Sequence, residues 1–169
     1  MEVWDLYDKN GNRTGKTMER GAQVPAGTYH LGVDVWIMNS KGELLVQKRS
    51  KNKESYPGKW AMTGGSALKG ENAKKAICRE VKEELGIRID QTELELIKKV
   101  RTSKTFIHIF FVQKEIDINE LKLQPEEVSD AKWFSVNKID ELVRNGEFIK
   151  NRWDEVKDII YKKLKDGGK

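Results

Sequence analysis

Residues 65–87 read Gly65-Ser-Ala-Leu-Lys-Gly-Glu71-Asn-Ala-Lys-Lys-Ala-Ile-Cys-Arg79-Glu80-Val81-Lys-Glu83-Glu84-Leu-Gly86-Ile87. Glu71–Leu85 carries the period of an amphipathic helix, and Gly86 stands where a left-handed residue ends one. With Glu80 at 0° on a helical wheel, Glu84 falls at about +40° and Glu83 at about −60°. Three carboxylates therefore share one sector. Ala73 and Ala76 lie in the same sector and leave room for a ligand, while Ile77, Val81 and Leu85 form the adjacent core stripe.

That acidic face opposes helix formation. Like charges at i,i+3 and i,i+4 cost ~0.2–0.5 kcal/mol per pair. The last turns of a helix disfavour anions by a further ~0.3–1 kcal/mol each. A bound hard cation reverses both signs, and Mg²⁺ prefers a few carboxylates completed by water and phosphate oxygens. The residues alone leave a second reading open, a solvated Lys/Glu face in which Arg79–Glu83 is an ordinary i,i+4 pair.

Around this helix the chain reads as strands, with helices at its end. Val3–Asp8 alternates with period two and runs into Asp8-Lys-Asn10-Gly11-Asn12, a hairpin signal. His30–Met38 and Glu43–Arg49 are strand candidates joined by the turn Asn39–Gly42. Ser50–Lys59 is a basic loop, and Trp60–Thr63 is a short strand expected to feed a Gly64-Gly65 turn. Leu94–Thr102, Thr105–Lys114 and Ser129–Phe134 follow as strands. Val136–Asn145 and Arg152–Lys165 follow as helices, the last with Trp153, Val156, Ile159, Ile160 and Leu164 on one side. A mixed α/β sandwich is expected.

The chain has 169 residues, enough for one domain with a core of its own. A net charge of +5 suits a polyanionic ligand, but the basic residues are spread along the sequence, and no nucleic-acid platform is expected. One cysteine, Cys78, excludes an intrachain disulfide framework, and inert packing is its expected role. The start lacks a basic segment followed by an apolar run, and no 18-residue apolar stretch occurs, so a cytoplasmic protein without membrane contact is expected, monomer or homodimer.

Residues 65–87 meet all nine fixed positions of the Nudix box, which chance supplies in a chain of this length on the order of once in ten million. The chain thus resembles the Nudix hydrolases. The resemblance implies an α/β/α sandwich with a mixed sheet over residues 30–169, preceded by an added N-terminal β-hairpin at 1–29. It also implies hydrolysis of a small-molecule diphosphate with Mg²⁺ as cofactor, Mn²⁺ substituting. Diphosphate hydrolysis needs an activated water and neutralisation of the leaving phosphate's charge, both of which metal ions supply.

By the same resemblance Glu80, Glu83 and Glu84 are metal ligands. Glu71 is expected to add a ligand or to pair with Arg79, and Glu83, Arg79 and Glu127 are the catalytic candidates. Gly64 and Gly65 are expected to let backbone approach the bound phosphate. Read from the residues, the basic cluster is a solvated loop or a phosphate grip with Arg49 its best candidate, and Trp60 either stacks on a base or is a buried aromatic of its strand.

The segments His30–Asn39, Leu45–Ser50 and Pro57–Trp60 also resemble isopentenyl-diphosphate isomerase, a relative of the same fold. That enzyme's cysteine and histidine before the box helix align with Gly64 and Ser66, and no acidic residue in Thr105–Val112 matches its catalytic glutamate. Non-catalytic modules of this fold usually lose box glutamates, which this chain keeps. The hydrolase reading is therefore preferred. Asp8-x-Asn10-x-Asn12 faintly echoes a calcium loop, but Arg13 occupies the position that needs glycine.

Overall fold

The hairpin forms where Asp8–Asn12 predicts it. In the computed structural model, which describes residues 1–167, strands β1 (Val3–Tyr7) and β2 (Arg13–Glu19) pair antiparallel. Asp8 Oδ1 accepts the amides of Asn10 and Asn12, and Gly11 sits at φ 82°. The calcium-loop echo is thus a reverse turn in which the aspartate serves the backbone.

The main sheet has seven strands: β3 (His30–Met38), β4 (Leu44–Arg49), β5 (Trp60–Ala61), β6 (Thr63–Ser66), β7 (Glu95–Arg101), β8 (Thr105–Gln113) and β9 (Val128–Phe134). Helix α1 (Ala73–Leu85) lies between β6 and β7, and α2 (Val136–Arg144) and α3 (Lys150–Lys165) close the chain. The order is β5-β4-β3-β8-β7, with β6 also paired to β3 and β9 to β4. Among the paired strands of the described residues, β3 and β8 run parallel, in register from His30↔Thr105 to Met38↔Gln113, and the other strand pairs are antiparallel.

Strand β3 is buried on both faces, and its alternation assigns side chains to two cores. Leu31, Val33, Val35 and Ile37 pack with Ala76, Ile77, Val81 and Leu85 of α1. Trp36 and Met38 point the other way, to Ile139 of α2 and Trp153, Val156 and Ile160 of α3. Each such fully buried side chain contributes about 1.5–3 kcal/mol. The result is the expected α/β/α sandwich with a mixed sheet.

Most element boundaries agree with the sequence reading to within one residue, and three differences carry physical content. Helix α1 begins after Asn72, whose side chain accepts the Lys75 amide at 2.8 Å, so Glu71 stays in the preceding loop. Gly64 and Gly65 do not make a turn: they continue as strand β6, opposite Asp34 and Val33. Helix α3 starts at Lys150, and Leu164 of its expected apolar stripe is exposed beside Gly42.

The hairpin docks on the rest of the chain. Tyr7 exchanges backbone hydrogen bonds with Tyr29, and the amides of Lys69 and Gly70 donate to Val3 O and Asp5 Oδ2, both at 2.8 Å. Residues 168 and 169 of the expected 30–169 range lie outside the described residues. No helix among the described residues is long and apolar enough to cross a membrane.

Candidate active site

Between α1, strand β6 and the first turn of α3 lies a cleft of about 510 Å³. Glu80, Glu83 and Glu84 enter it from α1, with Gly64 and Gly65 of β6 beside them. The hairpin adds Glu2 and Arg20.

Arg79 organises the acidic helix without lining this cleft. Its Nε donates to Glu71 Oε2 at 2.9 Å, and Nη2 donates to Glu71 Oε1 and the Ser66 carbonyl at 3.0 Å each. Nη1 donates to Glu80 Oε1 and Glu83 Oε2, both at 3.1 Å. Burial alone would lower the guanidinium's pKa, but the hydrogen bonds and charges of Glu71, Glu80 and Glu83 outweigh it and raise the value. Glu71 also accepts the Leu68 amide at 2.7 Å, and its carbonyl accepts from Arg13 of the hairpin. Neither Glu71 nor Arg79 is among the cleft residues. The pair fastens loop to helix, which is one of the two roles expected of Glu71.

Glu80 and Glu84 are only 8% and 6% exposed. Burial pushes Glu80 up to about 7, against the pull of Arg79. Burial pushes Glu84 up to about 8, against a hydrogen bond from the Gln47 side-chain amide. Glu83 is half-exposed. A Cβ at Gly65 would run into the Glu80 carboxyl group, so glycine is what lets the strand and the acidic helix meet.

Two poorly compensated buried carboxylates and a third at the rim form the hard oxygen donor set that a divalent cation prefers. Among the described residues no three such groups are already gathered around one point, because Arg79 draws Glu80 and Glu83 while Gln47 draws Glu84.

Other expected residues divide between the cleft and the core. Arg49 and Glu127 line the cleft, Arg49 bonded to the Ser55 carbonyl at 3.0 Å and Glu127 ion-paired with Lys53. Trp60 does not: it is buried on the α2/α3 side, edge-on to Phe134 at 4.9 Å between ring centroids. Of the two readings of Trp60, its position matches the buried strand aromatic. Cys78 is half-buried outside this cleft, and burial raises its thiol pKa.

Three site residues escaped the sequence reading. Gln47 on β4 holds Glu84. Asp34 on β3, 3% exposed, sits 2.9 Å from Arg152 Nε of α3, and burial pushes its carboxyl up to about 6 although Arg152 opposes the shift. A lone charge inside the apolar run His30–Met38 was the available signal, since burying one is costly without a purpose.

The NUDIX domain family matches residues 28–161. An uncharacterised Nudix hydrolase of Listeria monocytogenes is 43% identical over 150 residues, covering 88% of this chain and 89% of that protein. An isopentenyl-diphosphate delta-isomerase of Photorhabdus laumondii is 28% identical over 178 residues, covering 97% and 99%. In fold, a crystal structure of a Deinococcus radiodurans protein matches with a TM-score of 0.73 at 21% identity, covering 87% of this chain and 91% of that one. The chain belongs to the Nudix hydrolases, on the branch related to the isopentenyl-diphosphate isomerases. It is a pyrophosphohydrolase of that family, whose members act on small-molecule diphosphates and generally need a divalent metal.

Proposed function

We propose that the chain hydrolyses, with Mg²⁺, the diphosphate of a nucleoside diphosphate linked to a second moiety, or of a related organic pyrophosphate. The observation that carries the reading is the set Glu80, Glu83 and Glu84, delivered by one helix into a cleft beside Gly65. These three glutamates would hold Mg²⁺, for which Mn²⁺ substitutes. The bound ion supplies charge neutralisation at the phosphates and a lowered pKa for water.

The chain's own residues do the rest. Arg79 and Glu71 keep the loop and helix together, and Gln47 aims Glu84. Arg49 and Lys53 face the diphosphate as counter-charges. Glu127, held by Lys53, is the base that takes the proton of the attacking water, with Glu83 as the other candidate. The hairpin of residues 1–29 and the remainder work as one domain, because Glu2 and Arg20 complete the cleft wall.

A panel of organic diphosphates assayed with Mg²⁺ for phosphorylated products tests the reading. Glu83→Gln and Glu84→Gln are each expected to lower turnover about a hundredfold or more with the fold intact. Wild-type rates in both variants would remove the metal assignment.

Isomerisation has the full-length likeness to the Photorhabdus enzyme in its favour. Proton transfer to and from carbon needs an acid and a base on opposite faces of the substrate. Gly64 and Ser66 provide neither, and Cys78 lies outside the cleft. Isopentenyl diphosphate in deuterated water is therefore expected to yield no isomer and no deuterium uptake, while Cys78→Ala keeps its diphosphatase activity. Isomer formation dependent on Cys78 would move the assignment to isomerase.

A further inference from the structure

The cleft continues past Gly64 onto the α3 side of the sheet. β3 directs Gly32 and Asp34 to that side, in line with Trp36 and Met38. Trp153 of α3 covers Trp36 at 5.5 Å between rings, and the helix meets Asp34 with Arg152 of its first turn. What remains uncovered is a recess. Its floor lacks side chains at Gly32 and Gly64: a Cβ on Gly64 would lie 2.5 Å from Asp34 Oδ1 and 2.8 Å from the Val33 carbonyl. Met62, Ile107 and Ile149 supply apolar flanks.

Asp34 is not explained by folding alone. Its Oδ2 is buried without a hydrogen bond, because the Arg152 Nε at 2.9 Å balances its charge from off the N–H direction. An unmet buried acceptor is destabilising, and a donor arriving with a ligand would recover that loss. A buried ion pair is also often no more stable than an apolar pair of the same volume. Asp34 and Arg152 offset each other, so a group bound here is uncharged, whereas the diphosphate belongs with Arg49 and Lys53.

We propose that this recess receives the non-phosphate ring of the substrate and selects a ring bearing N–H or O–H donors for Asp34 and an acceptor for Arg152. The inference rests on the diphosphatase reading above. A nucleobase edge and a sugar face both present that chemistry. A prenyl chain presents neither, and would leave Asp34 Oδ2 without a partner. Sites built to hydrogen-bond a substrate reject analogues lacking the group by up to ~10⁴–10⁵.

The test compares wild type with Asp34→Asn, which keeps shape but exchanges one acceptor for a donor. Substrates are ADP-ribose, GDP-mannose, UDP-glucose and geranyl diphosphate. Metal-free calorimetry with nucleoside monophosphates and sugar 1-phosphates separates the base from the sugar as occupant. Asp34→Asn is expected to lower kcat/KM for the preferred ring substrate roughly tenfold to a hundredfold, mainly through KM, and to leave geranyl diphosphate unchanged. Weakened calorimetric binding of either ring class supports the recess and names its occupant.

Should Asp34→Asn fail to fold, Asn151→Trp at the exposed rim blocks the recess and is expected to produce the same change in ranking. Hydrolysis of the panel with a substrate ranking unchanged in the folded variants overturns the inference. A wild type that binds ring phosphates at Asp34 yet hydrolyses no diphosphate overturns the hydrolase reading and upholds this one.

Discussion

Gln47 and Glu84 meet across the interior of the site: the Gln47 amide on β4 donates to Glu84 Oε2 at 2.9 Å, while the Gln47 carbonyl oxygen accepts from Thr63 Oγ1 at 3.0 Å. All three side chains are buried. One neutral residue thus satisfies a hydroxyl and steadies a carboxyl group that is nearly buried at the cleft wall.

Gln47→Leu keeps the volume and removes both bonds. Leaving a buried donor and acceptor unmet should cost about 1–3 kcal/mol. For a chain of this size that lowers Tm by roughly 2–10 °C. Differential scanning calorimetry without metal checks it, and an unchanged Tm would show that the Glu84 carboxyl group finds another partner.

The raised carboxyl groups set a pH dependence. Folded values of about 7 for Glu80 and about 8 for Glu84 lie above the ~4.3 of a free glutamate. Between those limits the native state keeps protons that the unfolded chain has released, so stability falls as pH rises. His30 and His108, whose pKa values burial lowers, act in the opposite sense only below about 6.5. Metal-free Tm is therefore expected to fall from pH 6.5 to 8.5. Mg²⁺ should raise Tm more at pH 8 than at 6.5, and Glu84→Gln should flatten both trends. A Tm that climbs through this window would contradict the assignment of buried, protonated glutamates.

Arg79→Lys tests the fastening role. A lysine cannot reproduce the planar fork that holds Glu71 by two bonds and reaches Ser66, Glu80 and Glu83. Breaking a buried pair on one side costs about 3–5 kcal/mol, and partial exposure places the loss here at or below the low end. Both Tm and kcat should drop, whereas a purely catalytic arginine would leave Tm alone.

Gly65→Ala should be an activity variant more than a folding variant. The backbone there is ordinary strand, so alanine meets no conformational penalty, but its methyl group displaces the Glu80 carboxyl. A loss of about a hundredfold in turnover with near-normal Tm is expected, and weaker Mg²⁺ binding should accompany it. Retained activity would mean that Glu80 tolerates displacement.

What the sequence disclosed follows from how local each signal is. The acidic face of α1 and its Gly86 stop are written within one segment, and both were readable. Gly64-Gly65 was misread as a turn because a glycine pair is a turn signal among its neighbours. Its actual cause is crowding by Asp34 and Glu80, which arrive from elsewhere in the chain. Trp60 carried no mark that distinguishes stacking on a ligand from stacking on Phe134. The Asp34–Arg152 pair joins β3 to a helix near the far end of the chain, and no periodicity announces such a meeting.

The two glycines of β6 serve opposite faces of one strand, Gly65 toward Glu80 and Gly64 toward Asp34. Each position refuses a side chain for a separate reason. On the proposed reading, changes around Asp34 would therefore retune which molecules are accepted without touching the helix that bears Glu80, Glu83 and Glu84. A descendant of this chain could acquire a new diet while inheriting its cutting edge intact, and the strand between them would stay glycine on both sides throughout.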